Sequence, residues 1–335
     1  MEVNVNKMKT VRWLLIACLL AALSGCQEKR EGNLKNTGLL VQDTINDQGW
    51  ADQGYKGLIK IQDTYGNEVV YKEKMQMKAE IKQAVEEFQK DNVNLIFGHG
   101  KIYANLFSQI SRDYPKIRFV SFNGDSSGEN ATSIHFRSYA MGFFAGMVAA
   151  KMSRTNHLGV IAAQEWQPEM KGFAGGARFQ KKDIIVDTEV MDSWSDKDQA
   201  IASFKRMAAA GADVFYPTGD GYTVPVIEEV KRKALYAIGY VTDQSDLGRA
   251  TVLTSTVQNV EYVYKSAAEQ FDAGKLRTGN LQYGFKEKAI AMGRFSPLVP
   301  SGFQKKIRKD IEEYKKTGKL PNGKSIQEHA QEDVQ

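Results

Sequence analysis

Cysteine is scarce in this chain, whose 335 residues include only Cys18 and Cys26. Cys18 lies inside an apolar N-terminal segment, and Cys26 follows the end of that segment. Two cysteines in these positions cannot build a disulfide framework. The core must therefore stabilise the fold, and an apolar content of 42% is ordinary for a globular protein.

Enzyme signatures are also absent. The sequence has no Gly-x4-Gly-Lys-Ser/Thr loop, no Gly-x-Ser-x-Gly elbow, no His-Glu-x2-His pair and no Cys-x2-Cys pair. No two of the four histidines stand at metal-ligand spacing; they are His99, His135, His157 and His329. We therefore expect no catalytic residues, no bound metal and no cofactor.

The chain opens with a basic segment that ends at Arg12, followed by an apolar run at 13–23. This run has 11 residues, whereas a membrane-spanning helix needs about 20. Two small residues then lead to Cys26. The order predicts a lipoprotein signal peptide at 1–25, cleavage before Cys26 and a diacylglycerol on its sulfur, which anchors the chain on the extracytoplasmic face of the cell membrane. The alternative is an uncleaved anchor, with Cys26 an incidental thiol.

A large excess of positive charge is lacking too. Removal of residues 1–25 takes three basic residues and one acidic residue from totals of 45 and 40, which leaves a net charge of +3. The basic cluster at 305–309 lies on a helical pattern and is diluted by neighbouring acidic residues. Nucleic-acid binding requires a concentrated basic face, so we expect no nucleic-acid partner.

Short β-rich apolar runs alternate with longer helical patterns from residue 38 onward. The predicted strands are 38–41, 69–71, 94–97, 117–122 and 133–136, then 158–162, 184–190, 214–217, 236–241 and 252–257. Helical patterns between them include 81–89, 103–111, 139–152, 199–209, 224–233 and 260–273. This alternation predicts an α/β fold with two lobes, each a parallel sheet covered by helices.

Polar and aromatic residues follow the carboxyl ends of these strands. In parallel sheets, ligands bind outside the carboxyl ends, so these residues are expected to face one cleft between the lobes. The candidates are Asp43, Trp50, His99, Asn123, Asp125, Trp166, Gly219, Asp220, Tyr222, Asp243 and Gln244. Two structural alternatives remain open: Trp50 staples the first helix to its sheet, and Asp43 caps that helix.

The segment at 45–58 reads Ile-Asn-Asp-Gln-Gly-Trp-Ala-Asp-Gln-Gly-Tyr-Lys-Gly-Leu. It resembles Ile-Asp-Asp-x-Ser-Phe-Asn-Gln-x4-Gly-Leu, the opening motif of the basic membrane protein family of substrate-binding lipoproteins. Further matches follow in the same order at 136–146, 168–176, 219–224, 238–244 and 253–257. The resemblance implies a type I periplasmic-binding-protein fold. It divides the chain into a tether at 26–36, lobe one at 37–150 and 252–295, lobe two at 151–251, and a C-terminal helix and polar tail at 296–335.

Family members of known ligand bind purine nucleosides, and the resemblance carries their contacts over by position. Trp50 is the ring that stacks on the base, Asp43 binds the base edge, and Asn123 replaces a second Asp. At the ribose, Val241 stands where the family has Asp, and Gln258 stands where it has Lys. The remaining candidate ligand-binding residues are Asp47, Trp166, Gly219, Asp220 and Asp243.

Three functions remain in competition. The segments 237–247 and 293–298 are most similar to members of the family that promote competence, so the leading hypothesis is a membrane-anchored positive regulator of competence with a cleft for a small planar, nucleoside-like ligand. The first alternative is a purine nucleoside-binding lipoprotein that serves an ABC permease. The second is a transcriptional activator that touches DNA directly, which export from the cytoplasm opposes.

Overall fold

The computed structural model describes residues 33–46 and 49–325. The predicted signal peptide, Cys26, most of the tether, Asp47 and the end of the tail lie outside these residues. No helix in the described part is long and apolar enough to span a membrane. From Leu34 onward the described residues belong to one compact unit.

Twelve strands are present in the described residues. In chain order they are β1 (Asn36–Val41), β2 (Val69–Lys72), β3 (Val93–His99), β4 (Arg118–Phe122), β5 (Ala131–Phe136), β6 (His157–Ala162), β7 (Ile185–Val190), β8 (Val214–Thr218), β9 (Tyr236–Val241), β10 (Val252–Gln258), β11 (Gly279–Tyr283) and β12 (Ile290–Met292).

The strands form two six-stranded sheets. The order in lobe one is β11-β5-β4-β3-β1-β2, and the order in lobe two is β12-β10-β9-β8-β6-β7. Every pairing is parallel except that of β10 with β12. The predicted two-lobed α/β fold is therefore confirmed. Strands such as β6, which is buried along its whole length, read as apolar runs because helices cover both faces of the sheet.

The helices of the described residues connect and cover these strands. They are α1 (Trp50–Tyr65), α2 (Lys78–Lys90), α3 (Ile102–Ile110), α4 (Ser138–Met152), α5 (Pro168–Gln180), α6 (Lys197–Ala209), α7 (Thr223–Arg232), α8 (Val260–Asp272) and α9 (Ser301–Thr317). The predicted C-terminal helix is α9, which buries Ile307 and Tyr314.

The predicted lobe boundaries need correction. β10 belongs to lobe two and not to lobe one, because it pairs in parallel with β9, with Val257 opposite Val241, and antiparallel with β12. α4 also belongs to lobe two, because it packs against α5, β9, β10 and β12. α8 does return to lobe one, where Tyr264 stacks on Phe97 with ring centroids 4.1 Å apart. Within residues 33–46 and 49–325 the backbone thus crosses between the lobes three times, after β5, β10 and β11.

α4 and α5 touch through their backbones. A β-carbon on Gly142 or Gly146 of α4 would collide with the carbonyl oxygen of Glu169 or Phe173, respectively, and one on Gly176 of α5 would collide with that of Phe143. Glycine is therefore required at this contact, since any side chain would force the helices apart. This close contact between α4 and α5 fixes the position of the first turn of α5, which lies at the cleft.

Candidate ligand-binding site

A cavity of about 930 Å³ lies where the carboxyl ends of strands from both sheets meet. Ligand pockets for small molecules commonly range from about 300 to 1,000 Å³. Seven of the predicted site residues line it, namely Asp43, Trp50, His99, Asn123, Trp166, Asp220 and Gln258. The expected convergence of strand-end residues from the two lobes is therefore present.

Trp50, the first residue of α1, is half-buried at the wall of this cavity. Its indole stacks on the His99 ring at 4.2 Å and 18°, and meets Phe122 and Phe136 edge-on. The residue thus packs on the core as the staple interpretation expects, and also lines the cavity. The two interpretations are compatible, because an indole held by packing offers a rigid surface to a planar ligand.

His99 packs against the face of the Trp50 indole and is itself held by two hydrogen bonds. Its Nε2 lies 2.6 Å from the Trp50 carbonyl oxygen, and its Nδ1 lies 2.9 Å from the Tyr264 hydroxyl. Burial lowers the pKa of His99 to about 3, so the ring is neutral at physiological pH. A carbonyl can only accept, so Nε2 carries the proton and Nδ1 accepts from Tyr264. The single tautomer fixes the position of the ring beneath Trp50.

Asn123 follows β4 with a φ of 58°, a left-handed conformation that asparagine tolerates. Its Oδ1 accepts the backbone N–H of Phe136 at 3.2 Å. Because that donor fixes the oxygen, the amide NH2 is the group left to face the cavity. At the position where the resembling receptors have a carboxylate acceptor, this chain has a hydrogen-bond donor.

Asp43 lies exposed at the edge of the cavity. The N-cap of α1 is Gly49, which has no side chain, and no hydrogen bond joins Asp43 to this helix among the described residues. The structure therefore excludes the alternative that Asp43 caps this helix. Gly49 instead packs against Asp220 of lobe two, which a β-carbon on Gly49 would approach to 2.6 Å.

Two tryptophans of lobe two stand at the cavity. Trp166 is 47% exposed, and its ring meets Trp194 edge-on at 6.0 Å. The ammonium of Lys101, which follows β3 in lobe one, lies 4.7 Å from the centre of the Trp166 ring, so a cation–π contact joins the lobes. Sequence reasoning missed Trp194, although it follows β7 as Trp166 follows β6.

A buried polar network forms the lobe-two wall. Glu169 is 3% exposed and accepts hydrogen bonds from the Tyr240 hydroxyl at 2.9 Å and from Gln167 Nε2 at 3.1 Å. Gln167 Nε2 also donates to the Thr218 carbonyl at 2.9 Å. Burial first, and the Glu169 charge second, raise the pKa of Tyr240 well above its usual value, which keeps this hydroxyl a donor. No sequence pattern marks Glu169 as a site residue, since an acidic residue in the first turn of a helix already has a local explanation.

Val241 and Gln258 lie at the carboxyl ends of the neighbouring strands β9 and β10. Val241 has a φ of 64°, which is strained for a β-branched residue. Gln258 is 7% exposed, and its Oε1 has no hydrogen-bond partner among the described residues. Both line the cavity. A buried amide oxygen without a donor costs stability unless a ligand or water supplies one.

The candidates Asp125, Tyr222 and Gln244 do not line the cavity, and neither do two of the proposed ligand-binding residues, Asp243 and Gly219. Asp243 accepts the Arg294 Nε at 2.9 Å and the backbone N–H of Ser245 at 3.2 Å, and it borders a separate pocket of about 440 Å³. Although burial acts to raise it, the bonds from Arg294 hold the pKa of Asp243 below its usual value. Gly219 is occluded by the Tyr222 ring, with which any side chain would collide. Both residues thus have structural contacts. Asp47 lies outside the described residues.

Two α/β lobes that enclose one cleft, with aromatic and polar side chains on both walls, define the class of proteins with the two-lobed periplasmic-binding-protein fold. The family model for Bmp, described as ABC transporter substrate-binding protein PnrA-like, matches residues 34–324. The chain belongs to this family, which confirms the resemblance drawn from the motifs.

Three similar proteins extend this comparison. The transcriptional activator protein Med of Bacillus subtilis (strain 168) is 50% identical over 311 residues, which cover 92% of this chain and 98% of the relative. A crystal structure of a transcriptional activator of the comK gene from Bacillus halodurans has a TM-score of 0.80 at 44% identity and covers 85% of this chain and 99% of that one. The ABC transporter nucleoside-binding protein BmpA of Lactococcus lactis subsp. cremoris (strain MG1363) is 25% identical over 84% of this chain and 87% of its own length.

Proposed function

We propose that this chain is a membrane-anchored, non-catalytic binding lipoprotein that promotes competence and holds a purine nucleoside or a similar planar ligand in its interlobe cleft. The regulatory part is supported by the likeness to the activators from the two bacilli. The ligand part is supported by the lactococcal nucleoside-binding relative. The observation that carries the ligand proposal is the indole of Trp50, held on His99 at the wall of a cavity of suitable size.

Stacking supplies the base-binding half of the proposal. A base that stacks on an aromatic side chain gains about 1 to 3 kcal/mol, whatever the base. Asn123 adds a donor for an acceptor on the base edge, since its oxygen is already occupied by Phe136. Trp166 and Trp194 supply further aromatic surface from the opposite lobe.

The role of a regulator, rather than an import receptor, is supported by the altered ribose positions. Val241 and Gln258 offer neither the carboxylate nor the ammonium of the resembling receptors. We therefore expect nucleoside binding weaker than that of a receptor that supplies a permease. A direct role on DNA is disfavoured, because an exported and lipidated chain does not meet the chromosome. Salt-sensitive retention of DNA by the purified protein would argue for that role instead.

The double variant Val241→Asp with Gln258→Lys tests the ribose positions. Aspartate tolerates the left-handed conformation at 241 better than valine, and the pair together avoids a lone buried charge. Titration calorimetry on the full chain in detergent should show tighter binding of guanosine to the double variant than to wild type, with smaller gains in each single variant. Receptor-like affinity in wild type would favour the importer alternative, and no gain in the double variant would show that the ribose binds elsewhere.

The membrane anchor has its own test at Cys26. Cys26→Ala should abolish incorporation of labelled fatty acid in growing cells and accumulate a precursor larger by the signal peptide, because the sulfur that carries the lipid is gone. Cys18→Ala is the matched control, since it removes the other cysteine and should be processed normally. Lipid labelling that survives in Cys26→Ala would rule out the lipoprotein proposal.

A further inference from the structure

We propose that Glu169 is the residue that anchors the hydroxyl-bearing part of the ligand, so that the lobe-two wall of the cavity selects a neutral ribose-like group. This inference rests on the proposed nucleoside-binding function and adds to it a residue that no motif indicates. The carboxylate takes the hydroxyls that Val241 cannot bind.

The geometry of Glu169 leaves one carboxylate oxygen for a ligand. Oε1 accepts from both Tyr240 and Gln167, whereas Oε2 makes no hydrogen bond to the described residues. The residue lines the cavity although only 3% of its surface is exposed. A carboxylate this deeply buried is costly unless further donors reach it. Because Glu169 lines the cavity, a ligand in the cavity can supply these donors.

The position of Glu169 is fixed from two directions. Gln167 is held by the Thr218 carbonyl, and the backbone of Glu169 lies against Gly142 of α4. Such a residue cannot turn away to solvent, and a binding group with a fixed geometry loses little entropy when the ligand arrives.

The charges around Glu169 favour a ligand that offers hydroxyl groups over one that offers a cation or a phosphate. Among the described residues no Lys or Arg forms an ion pair with Glu169, so a phosphate beside it would be repelled. Lys101 and Arg137 balance two of the three carboxylates that line the same cavity, which belong to Asp43, Glu169 and Asp220. The N-termini of α1, α3, α4 and α5 add positive potential around it, so a cationic ligand is not favoured either. Gln258 Oε1, buried and without a partner, adds a second acceptor. Acceptors that no cation pairs with fit neutral donors, and the ribose hydroxyls of a nucleoside are such donors.

The test compares ligands as well as variants. Adenosine and guanosine, their 2′-deoxy and 3′-deoxy forms, and adenine and guanine are titrated by calorimetry into the full chain in detergent. In wild type, removal of a hydroxyl that Glu169 binds should weaken binding about tenfold to a hundredfold, as expected for a hydrogen bond to a charged group. This comparison requires no variant to fold.

Glu169→Gln should weaken binding of the ribonucleosides by a similar factor, leave the free bases unchanged, and remove most of the penalty for the deoxy forms. Glu165→Gln is the matched control, because Glu165 is exposed four residues earlier and should bind all ligands as wild type does. If wild type binds ribonucleosides but the deoxy forms bind equally well, or if Glu169→Gln weakens base and nucleoside alike, the role of Glu169 is overturned while the proposed function stands. If wild type binds no nucleoside, the proposed function itself is wrong.

Discussion

Trp50→Ala is expected to cut sharply the stabilisation that a purine nucleoside gives the protein, while thermal unfolding stays cooperative. Loss of base stacking weakens binding by about tenfold to a hundredfold. At a ligand concentration 100 times the wild-type Kd, stabilisation should fall from about 2.7 kcal/mol to about 0.4 kcal/mol for a hundredfold loss. The apo protein should also lose stability, because the indole packs on His99 and on the edges of Phe122 and Phe136.

The measurement is the midpoint of thermal unfolding of the full chain in detergent, with and without guanosine. Phe179→Ala is the control, since Phe179 is a 43% exposed aromatic on α5 that packs on Phe143 and does not line the cavity. It should keep the full response to ligand. A Trp50→Ala protein that loses apo stability but keeps the ligand-induced shift would mean that the indole serves packing alone.

Ten of the twelve strands of the described residues could be predicted from sequence because they are rich in apolar residues. β11 could not, since Gly279–Tyr283 is a half-polar edge strand, and neither could β12, which has three residues. The lobe of β10 was predicted wrongly for a different reason. Which strand β10 pairs with depends on tertiary packing beside β9, and the local sequence of a buried parallel strand fits either sheet.

Strand-end position alone was enough to select Trp50, Asn123 and Asp220, because parallel strands deliver their carboxyl ends to one edge. It failed for Asp243, whose partner Arg294 is 51 residues away in the chain. It also failed for Glu169, whose importance depends on burial and on Tyr240, 71 residues away. Contacts with residues distant in the chain decide whether a polar side chain is available to a ligand or is held in the fold. A single sequence does not show which distant residues are in contact.

Gly176→Ala is expected to destabilise the protein by about 3 kcal/mol, the upper part of the usual range for overpacking a core. Helix propensity alone predicts the opposite sign, since alanine is favoured over glycine by about 1 kcal/mol inside a helix. Sterics should win, because a β-carbon on Gly176 would collide with the backbone of Phe143, and a backbone carbonyl cannot rotate aside as a side chain can. Urea unfolding of the full chain in detergent, followed by circular dichroism, measures the difference in the free energy of unfolding.

Gly302→Ala, in the first turn of α9, is the matched control because nothing lies within 4 Å of a β-carbon there. It should leave stability unchanged or raise it by up to about 1 kcal/mol. Gly142→Ala extends the test to the cleft, because its β-carbon would press on the backbone of Glu169. We expect it to reduce both stability and nucleoside affinity, since it displaces the carboxylate proposed to hold the ribose. Wild-type stability in Gly176→Ala would show that the two helices separate at little cost, and the close backbone contact would then not be what fixes Glu169 at the cavity.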